Sequence, residues 1–256
     1  MEYLGEKNAG ELIRQSFSLY FRNFGRLYPI FLVTVLPAGV LFALVQVSEA
    51  AAVLIVGFVA MIMVSLIGAG AFTVAISDLC LGRPVSIGHA YKRMFSGLVG
   101  KLLWTFLLIM VASMIGYVLL LVPGLIFSAM VIVAVPVVVL ERIGGFAALK
   151  RAIQLGKGKH ARNFGLVLLL TLIIVVFNMA IGAGAGVITG LTAPDIIHDI
   201  ERGRGEFGAW LFYFIVFEVT YLIAPVQSVL PALIYYDLRS RKEAYDIAAL
   251  ERDLIH

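Results

Sequence analysis

Apolar residues run almost unbroken through several long stretches of this chain, and charged residues crowd into the gaps between them. Uncharged sequence covers Leu27–Ser48, Ala50–Ser77, Leu102–Leu140 and Asn163–Pro194, and Phe207–Tyr236 is interrupted only by Glu218. A bilayer-crossing helix takes about 20 apolar residues. The Leu102–Leu140 stretch is too long for one span and suits two, with Pro123-Gly124 as the reversal between them. The pattern predicts an all-α integral membrane protein with six transmembrane helices. They cover about 27–48, 50–77, 102–121, 124–140, 164–190 and 209–236 of a single membrane domain, 1–256.

The polar gaps carry a second periodicity. Near the N-terminus Ile13, Phe17, Tyr20, Phe21 and Phe24 recur at helical spacing, opposed by Arg14, Ser18 and Arg22. Ile87, Tyr91, Met94, Phe95 and Leu98 do the same opposite Lys92, Arg93 and Ser96. Amphipathic helices are therefore predicted over about 9–25, 86–98 and 145–157. Such helices lie in the headgroup plane with the basic face toward anionic lipid. They suit equally well elbows packed on the bundle ends. On the first reading Arg14, Arg22, Lys92, Arg93, Lys150, Arg151, Lys157 and Lys159 are the lipid headgroup contacts.

A short internal repeat follows. Leu12-Ile13-Arg14-Gln15-Ser16-Phe17, Ala90-Tyr91-Lys92-Arg93-Met94-Phe95 and Ala148-Leu149-Lys150-Arg151-Ala152-Ile153 share one pattern, and each precedes a pair of spans. Each pair ends on an acid, Asp78, Glu141 and Asp237, with Arg83, Arg142 and Arg239 shortly after. The expectation is three hairpins, each preceded by a cytoplasmic amphipathic helix. Chance likeness among basic amphipathic pieces is the competing account.

Composition agrees. Apolar residues make up 61% and charged residues 14% of the chain, against roughly 45–50% and 25% in soluble domains. Eighteen of the twenty Lys and Arg residues fall in alternate gaps, which by the positive-inside rule places both termini, the basic loops and the tail 237–256 in the cytoplasm. The orientation rule already explains the basic loops, so no nucleic acid partner is expected. The mixed first 25 residues do not read as a cleavable signal peptide. One cysteine, Cys80, excludes a disulfide framework.

Candidate chemistry is sparse. Glu218 is the ionisable residue set well inside a span, and such groups usually face the bundle interior or a water-filled cavity. Asn178 is its neutral candidate partner, with Thr220, Tyr221 and Gln227 nearby in sequence, and Pro225 and Pro231 are expected to kink that helix. Three readings fit Glu218: a substrate or proton site, a protonated side chain sharing a hydrogen bond with a neighbouring helix, or a side chain lifted toward the outer interface. The glycines of Gly182-Ala183-Gly184-Ala185-Gly186 and Gly190, like Gly68 and Gly70, predict close helix packing. His89, His160, His198 and His256 show no metal-ligand spacing, and no Ser has a nucleophile-elbow context. No catalytic residue, metal or cofactor is expected.

Two stretches carry a family resemblance. The first is Val122-Pro123-Gly124-Leu125-Ile126, then Glu141, then Ala147-Ala148-Leu149-Lys150-Arg151-Ala152-Ile153-Gln154-Leu155-Gly156-Lys157-Gly158. The second is Ala232-Leu233-Ile234-Tyr235-Tyr236-Asp237-Leu238-Arg239, with Arg241-Lys242-Glu243 and Asp246 after it. Together they resemble the glycerophosphoryl diester phosphodiesterase membrane-domain family and its multispan prokaryotic relatives. That likeness implies a six-span module associated with lipid or an envelope enzyme. It does not imply phosphodiesterase activity, because 256 residues leave no room for the catalytic barrel.

The function expected is that of a non-enzymatic protein of the prokaryotic cytoplasmic (inner) membrane. Its partners would be anionic lipids on the cytoplasmic side and a membrane or envelope protein, which makes it a lipid-interacting or scaffolding module. The alternative is a small transporter of a lipid-like or amphiphilic substrate through a cavity near Glu218 and Asn178. An intramembrane enzyme ranks last.

Overall fold

A computed structural model of the chain describes residues 6–48, 50–119, 121–192, 206–243 and 247–255, and every regular element there is an α-helix. α1 (Ala9–Arg22) starts on Asn8, whose side-chain oxygen accepts from the Glu11 N–H at 2.8 Å and satisfies one spare helical donor. α2 (Phe24–Val47) and α3 (Ala51–Cys80) follow and pack on each other. α4 (Ile87–Phe95) is capped by Ser86 and leads to α5 (Leu98–Leu119), α6 (Leu121–Met130), α7 (Ala134–Glu141) and α8 (Gly145–Gly156). The chain continues through α9 (His160–Thr192), α10 (Glu206–Thr220), α11 (Val226–Glu243) and α12 (Ile247–Ile255).

Four helices, over Phe24–Gln46, Ala51–Cys80, Leu98–Val118 and His160–Leu191, are long and apolar enough to cross a bilayer. A fifth arises if the bent pair Ile126–Glu141 and Gly145–Gly156, which meet at 118°, is taken as one span. The chain is a helical, membrane-embedded protein.

Two of the six expected spans are interrupted. The span expected at 124–140 is divided between α6 and α7, because Pro136 has no N–H to bond back across residues 131–133. The span expected at 209–236 is divided between α10 and α11. Pro225 removes the bond that Tyr221 would accept, and the chain there tightens into three-residue bonds from Leu222 to Val219, Ala224 to Tyr221 and Val226 to Ile223. Pro231, expected to kink the helix, sits inside α11 without ending it. Pro123-Gly124 lies inside the first turn of α6 rather than between helices, where proline is tolerated. A Cβ on Gly124 would collide with the Tyr117 ring of α5, so glycine is what lets these two helices approach.

Packing is concentrated at one end of the bundle. The second half of α3 (Gly68–Asp78, apart from partly buried Ala69), nearly all of α7, and α11 from Val229 to Leu238 apart from Pro231 are buried in one apolar cluster. At the other end Ile55, Val56, Phe58, Met179 and Val187 are all more than half exposed. Gly68 and Gly70 make the close contacts expected of them, against Thr34, Met94 and Leu102. Gly182, Gly184 and Gly186 do not; no described atom lies within 4 Å of where their Cβ atoms would sit.

The three short amphipathic helices gather at the packed end, which also holds most of the arginines. Their burial keeps the repeat register. Leu12, Ala90 and Ala148 are fully buried, as are Ser16, Met94 and Ala152 four residues on, while Arg14, Lys92 and Lys150 point outward. The apolar faces expected from sequence are split, however. Met94 and Leu98 turn into the core, whereas Phe21, Phe95 and Ile87 stay exposed. Polar Gln15, Ser16 and Arg93 are buried instead, because tight packing on the bundle selects a face one step round the helix. In the segment expected as a tail, 237–256, α11 runs on to Glu243, and α12 folds back with Leu250 and Leu254 buried.

Candidate functional site

Two polar features stand out against this apolar frame, and both involve the last long segment. The first is the packed basic end. Asp237, whose side chain is fully buried, accepts from the Lys7 backbone N–H at 2.7 Å, from Arg241 Nε at 3.0 Å, and from Arg162 at the start of α9. Arg162 and Arg241 also donate to the Lys7 carbonyl, at 3.3 and 2.9 Å. One carboxylate thus joins the segment before α1, α9 and α11.

Glu141, ending α7, accepts from Arg151 Nε at 2.8 and 3.0 Å and from the Tyr235 hydroxyl at 3.1 Å. Glu243 bridges Arg151, at 2.6 Å, and Arg239, at 2.8 Å. The Arg151 hydrogen bond holds the Glu243 carboxyl below the usual carboxylate range. Tyr236 shares a 2.7 Å hydrogen bond with Ser77 of α3. The segment from Tyr235 to Arg241 therefore bonds to α3, α7 and α9 and to the residues before α1.

The acids at the helix ends differ in their partners: Asp237 takes Arg241, four residues on, whereas Asp78 and Glu141 do not pair with the arginines that follow them. Asp78 bonds His89 Nδ1 at 3.0 Å rather than Arg83, and Arg83 reaches Glu251 at 2.5 Å. Arg142 donates to Ser96 at 3.2 Å rather than to Glu141. A residue just past a helix end points away from the last turn, so the partners come from other helices. Arg93 is 8% exposed and faces α12, so it is corrected as a headgroup contact. Burial first, then nearby Arg142, pulls its guanidinium below the usual arginine range. Arg151 is likewise turned inward onto Glu141 and Glu243. Arg14, Arg22, Lys92, Lys150, Lys157 and Lys159 remain exposed.

The second feature lies at the break between α10 and α11. A cavity of about 240 Å³ is lined by Thr34, Ser65, Tyr221, Gln227 and Ser228 among apolar neighbours from α2 and α3. The Leu222 carbonyl, spared by the break, accepts the Tyr20 hydroxyl of α1 at 2.7 Å. One turn before the break Glu218 lies against Gly39 of α2, where a Cβ would collide with its carboxylate. Its Oε1 is buried and has no hydrogen-bond partner among the described residues. The buried amide oxygen of Asn178 is in the same state, so the expected Glu218–Asn178 bond is not made. Thr220 is spent locally, donating to the Val216 and Phe217 carbonyls at 2.8 and 2.9 Å. Tyr221 stacks on Phe217 and borders the cavity with Gln227.

No protein-family model, curated protein or solved structure matches this chain. The likeness to the phosphodiesterase membrane-domain family thus stands on its two sequence stretches. Glu141 and Arg151 of the first and Tyr235–Arg239 of the second meet at the packed end, while Val122–Ile126 lies at the start of α6, beside Tyr117 of α5. Among the described residues no group of three His, Cys, Asp or Glu is placed to hold a metal ion. The stretch Leu191–Gly208, which holds Asp195, Asp199, Glu201 and Glu206 against Arg202 and Arg204, lies largely outside the described residues, and Glu49 lies outside them too.

Sequence reasoning missed Arg162, Tyr235, Tyr236 and Gly39. Arg162 read as one more basic loop residue. The tyrosines stand in the second family stretch without an assigned role, although two adjacent tyrosines followed by an acid at a span end are a signal of a bonded helix terminus.

Proposed function

We propose that this chain is a non-enzymatic, lipid-interacting or scaffolding module of a prokaryotic cytoplasmic membrane. It crosses six times, with the packed basic end in the cytoplasm and three elbow-and-hairpin units. The broken segments α6–α7 and α10–α11 serve as its fourth and sixth crossings. Kinship with the phosphodiesterase membrane-domain family belongs to the same reading, without the catalytic activity.

One observation carries the lipid reading. Each short amphipathic helix exposes a phenylalanine, Phe21, Phe95 and Phe146 at 55%, 68% and 70%, and each lies within two turns of an exposed cation, Arg14, Lys92 or Lys150. An apolar ring beside a cation at one end of an apolar bundle suits insertion among anionic headgroups. The test is extraction in native membrane patches with lipid identification. Arg14, Lys92 and Lys150 changed together to Gln should lower the enrichment of anionic lipid around the protein. Unchanged enrichment refutes the reading. Reporter fusions test the topology: a cytoplasmic readout from a fusion between 195 and 206 overturns the six-span arrangement.

The cavity beside the broken α10–α11 segment favours a second reading, a small transporter of an amphiphilic substrate. Discontinuous helices with polar linings are the usual build of such sites. Glu218→Gln and Asn178→Ala separate the readings. Loss of a cellular phenotype with folding intact selects transport, and no loss at either position rejects it.

A further inference from the structure

The contacts of α12 are unlike those of the other helices. It is held by two buried leucines, Leu250 and Leu254, and by arginines of the bundle that grip its oxygen atoms. Arg93 donates to the carbonyl of Asp253 at 2.7 Å and to that of Leu254. Arg239 donates to the Asp253 carboxylate at 2.5 Å. Arg83 meets the Glu251 carboxylate at 2.5 Å. Three oxygens of one short segment therefore converge on two guanidiniums, Arg93 and Arg239.

That is the donor arrangement a tetrahedral oxyanion satisfies, since planar guanidinium forks match phosphate oxygens. Two further observations fit an anion. Arg93 Nε is buried with no hydrogen-bond partner among the described residues, so its donor set is not exhausted. A recess of about 380 Å³ opens beside Arg239, lined by Leu140, Glu141, Arg142, Arg239, Arg252 and Asp253, and gives a headgroup-sized anion a way in. Glu141 in that lining is shared among Arg151, Tyr235 and, at 3.9 Å, Arg239, whose Nε also donates to Glu243 at 2.8 Å.

We propose that Arg93 and Arg239, with Arg83 and Arg142 beside them, form a binding site for a phosphate-bearing anion, and that α12 occupies it in cis through Asp253 and its last carbonyls. The site goes beyond the outward lipid contacts, because it uses inward-facing arginines rather than Arg14, Lys92 and Lys150. Binding and release of α12 are then coupled: the anion gains the guanidiniums only as the helix gives them up.

The test uses the full chain in nanodiscs, as wild type and as Glu251→Gln with Asp253→Asn. One arm holds zwitterionic lipid and titrates inorganic phosphate and pyrophosphate by calorimetry. The other adds phosphatidylglycerol and counts retained lipid by native mass spectrometry. Weakening the competitor should tighten binding roughly tenfold, the weight of about one charge-assisted hydrogen bond. Binding in the first arm identifies a soluble phosphate ligand, and binding in the second alone identifies a lipid headgroup. Arg93→Lys keeps the charge but loses the fork and should weaken binding; Arg93→Gln with Arg239→Gln should abolish it. Equal binding by wild type and the weakened variant in both arms, or no binding in either, overturns the proposal, as does binding that survives loss of both arginines. Lys92→Gln with Lys150→Gln should leave this binding unchanged, so failure here is distinct from failure of the outward lipid contacts.

Discussion

Replacing Asp237 by alanine should destabilise the bundle far more than neutralising an acid at its edge. The Asp237 side chain is fully buried and accepts three hydrogen bonds, from the Lys7 N–H, Arg241 and Arg162. A hydrogen bond to a charged group contributes about 1.5–3 kcal/mol, so the three sum to an upper bound well above 4 kcal/mol. The guanidiniums of Arg162 and Arg241 are 21% and 23% exposed, which lets water recover part of their loss. The expected loss is therefore about 3–5 kcal/mol, that of a broken buried pair. Glu6 supplies the comparison: it pairs with the same Arg241 at 2.8 Å but is 63% exposed. Glu6→Gln should change stability by less than about 1 kcal/mol. Both variants can be unfolded in mixed micelles by rising SDS, followed by circular dichroism. The reasoning is refuted if Asp237→Ala falls within about 1 kcal/mol of Glu6→Gln.

Three further outcomes follow from the same contacts. Thr105→Val keeps shape but strips the Gly145 N–H of its 2.7 Å acceptor, and should lower stability by about 1–3 kcal/mol in the same titration. Gly39→Ala should destabilise by about 1–3 kcal/mol through collision with Glu218, and adding Glu218→Ala should restore most of that loss; no rescue removes the contact from the account. Glu243, held below the usual carboxylate range, stabilises the fold fully above the ordinary Glu value of about 4.3. That contribution is lost as pH falls from there through the lower folded value, so Glu243→Gln should flatten the acid side of a stability–pH profile. An unaltered profile would falsify the assignment.

Much of the helical layout was legible in the apolar runs, because spans and elbows are set by local periodicity. The elbow register was legible too: Arg14, Lys92 and Lys150 share one motif position and one outward face. Partners were not. Lys92 and Arg93 sit on one polar face by composition, yet adjacent residues on a helix point about 100° apart. Packing against α12 decides which of them is buried. The interruption at 131–133 was also hidden, since Pro136 lies in a segment whose hydropathy never drops; at Pro225 a kink was legible, but not that the helix would divide there. Glu218 was visible as an oddity, but its neighbour Gly39 lies in another helix and left no local signal.

The convergence of clamps on Tyr235–Arg241 has a consequence in time. This segment is synthesised after the first two hairpins, yet it carries the groups that Ser77, Glu141, Lys7 and Arg162 bond. Until it leaves the ribosome, an acid in one unit and arginines in the others face each other without their common link. Packing of α2 on α3 and the Glu141–Arg151 pair need no later residue, so what waits for this segment is closure of the packed end. A ribosome stalled before residue 235 would display a chain exposed to membrane proteases, and release of the finished chain would allow the packed end to close.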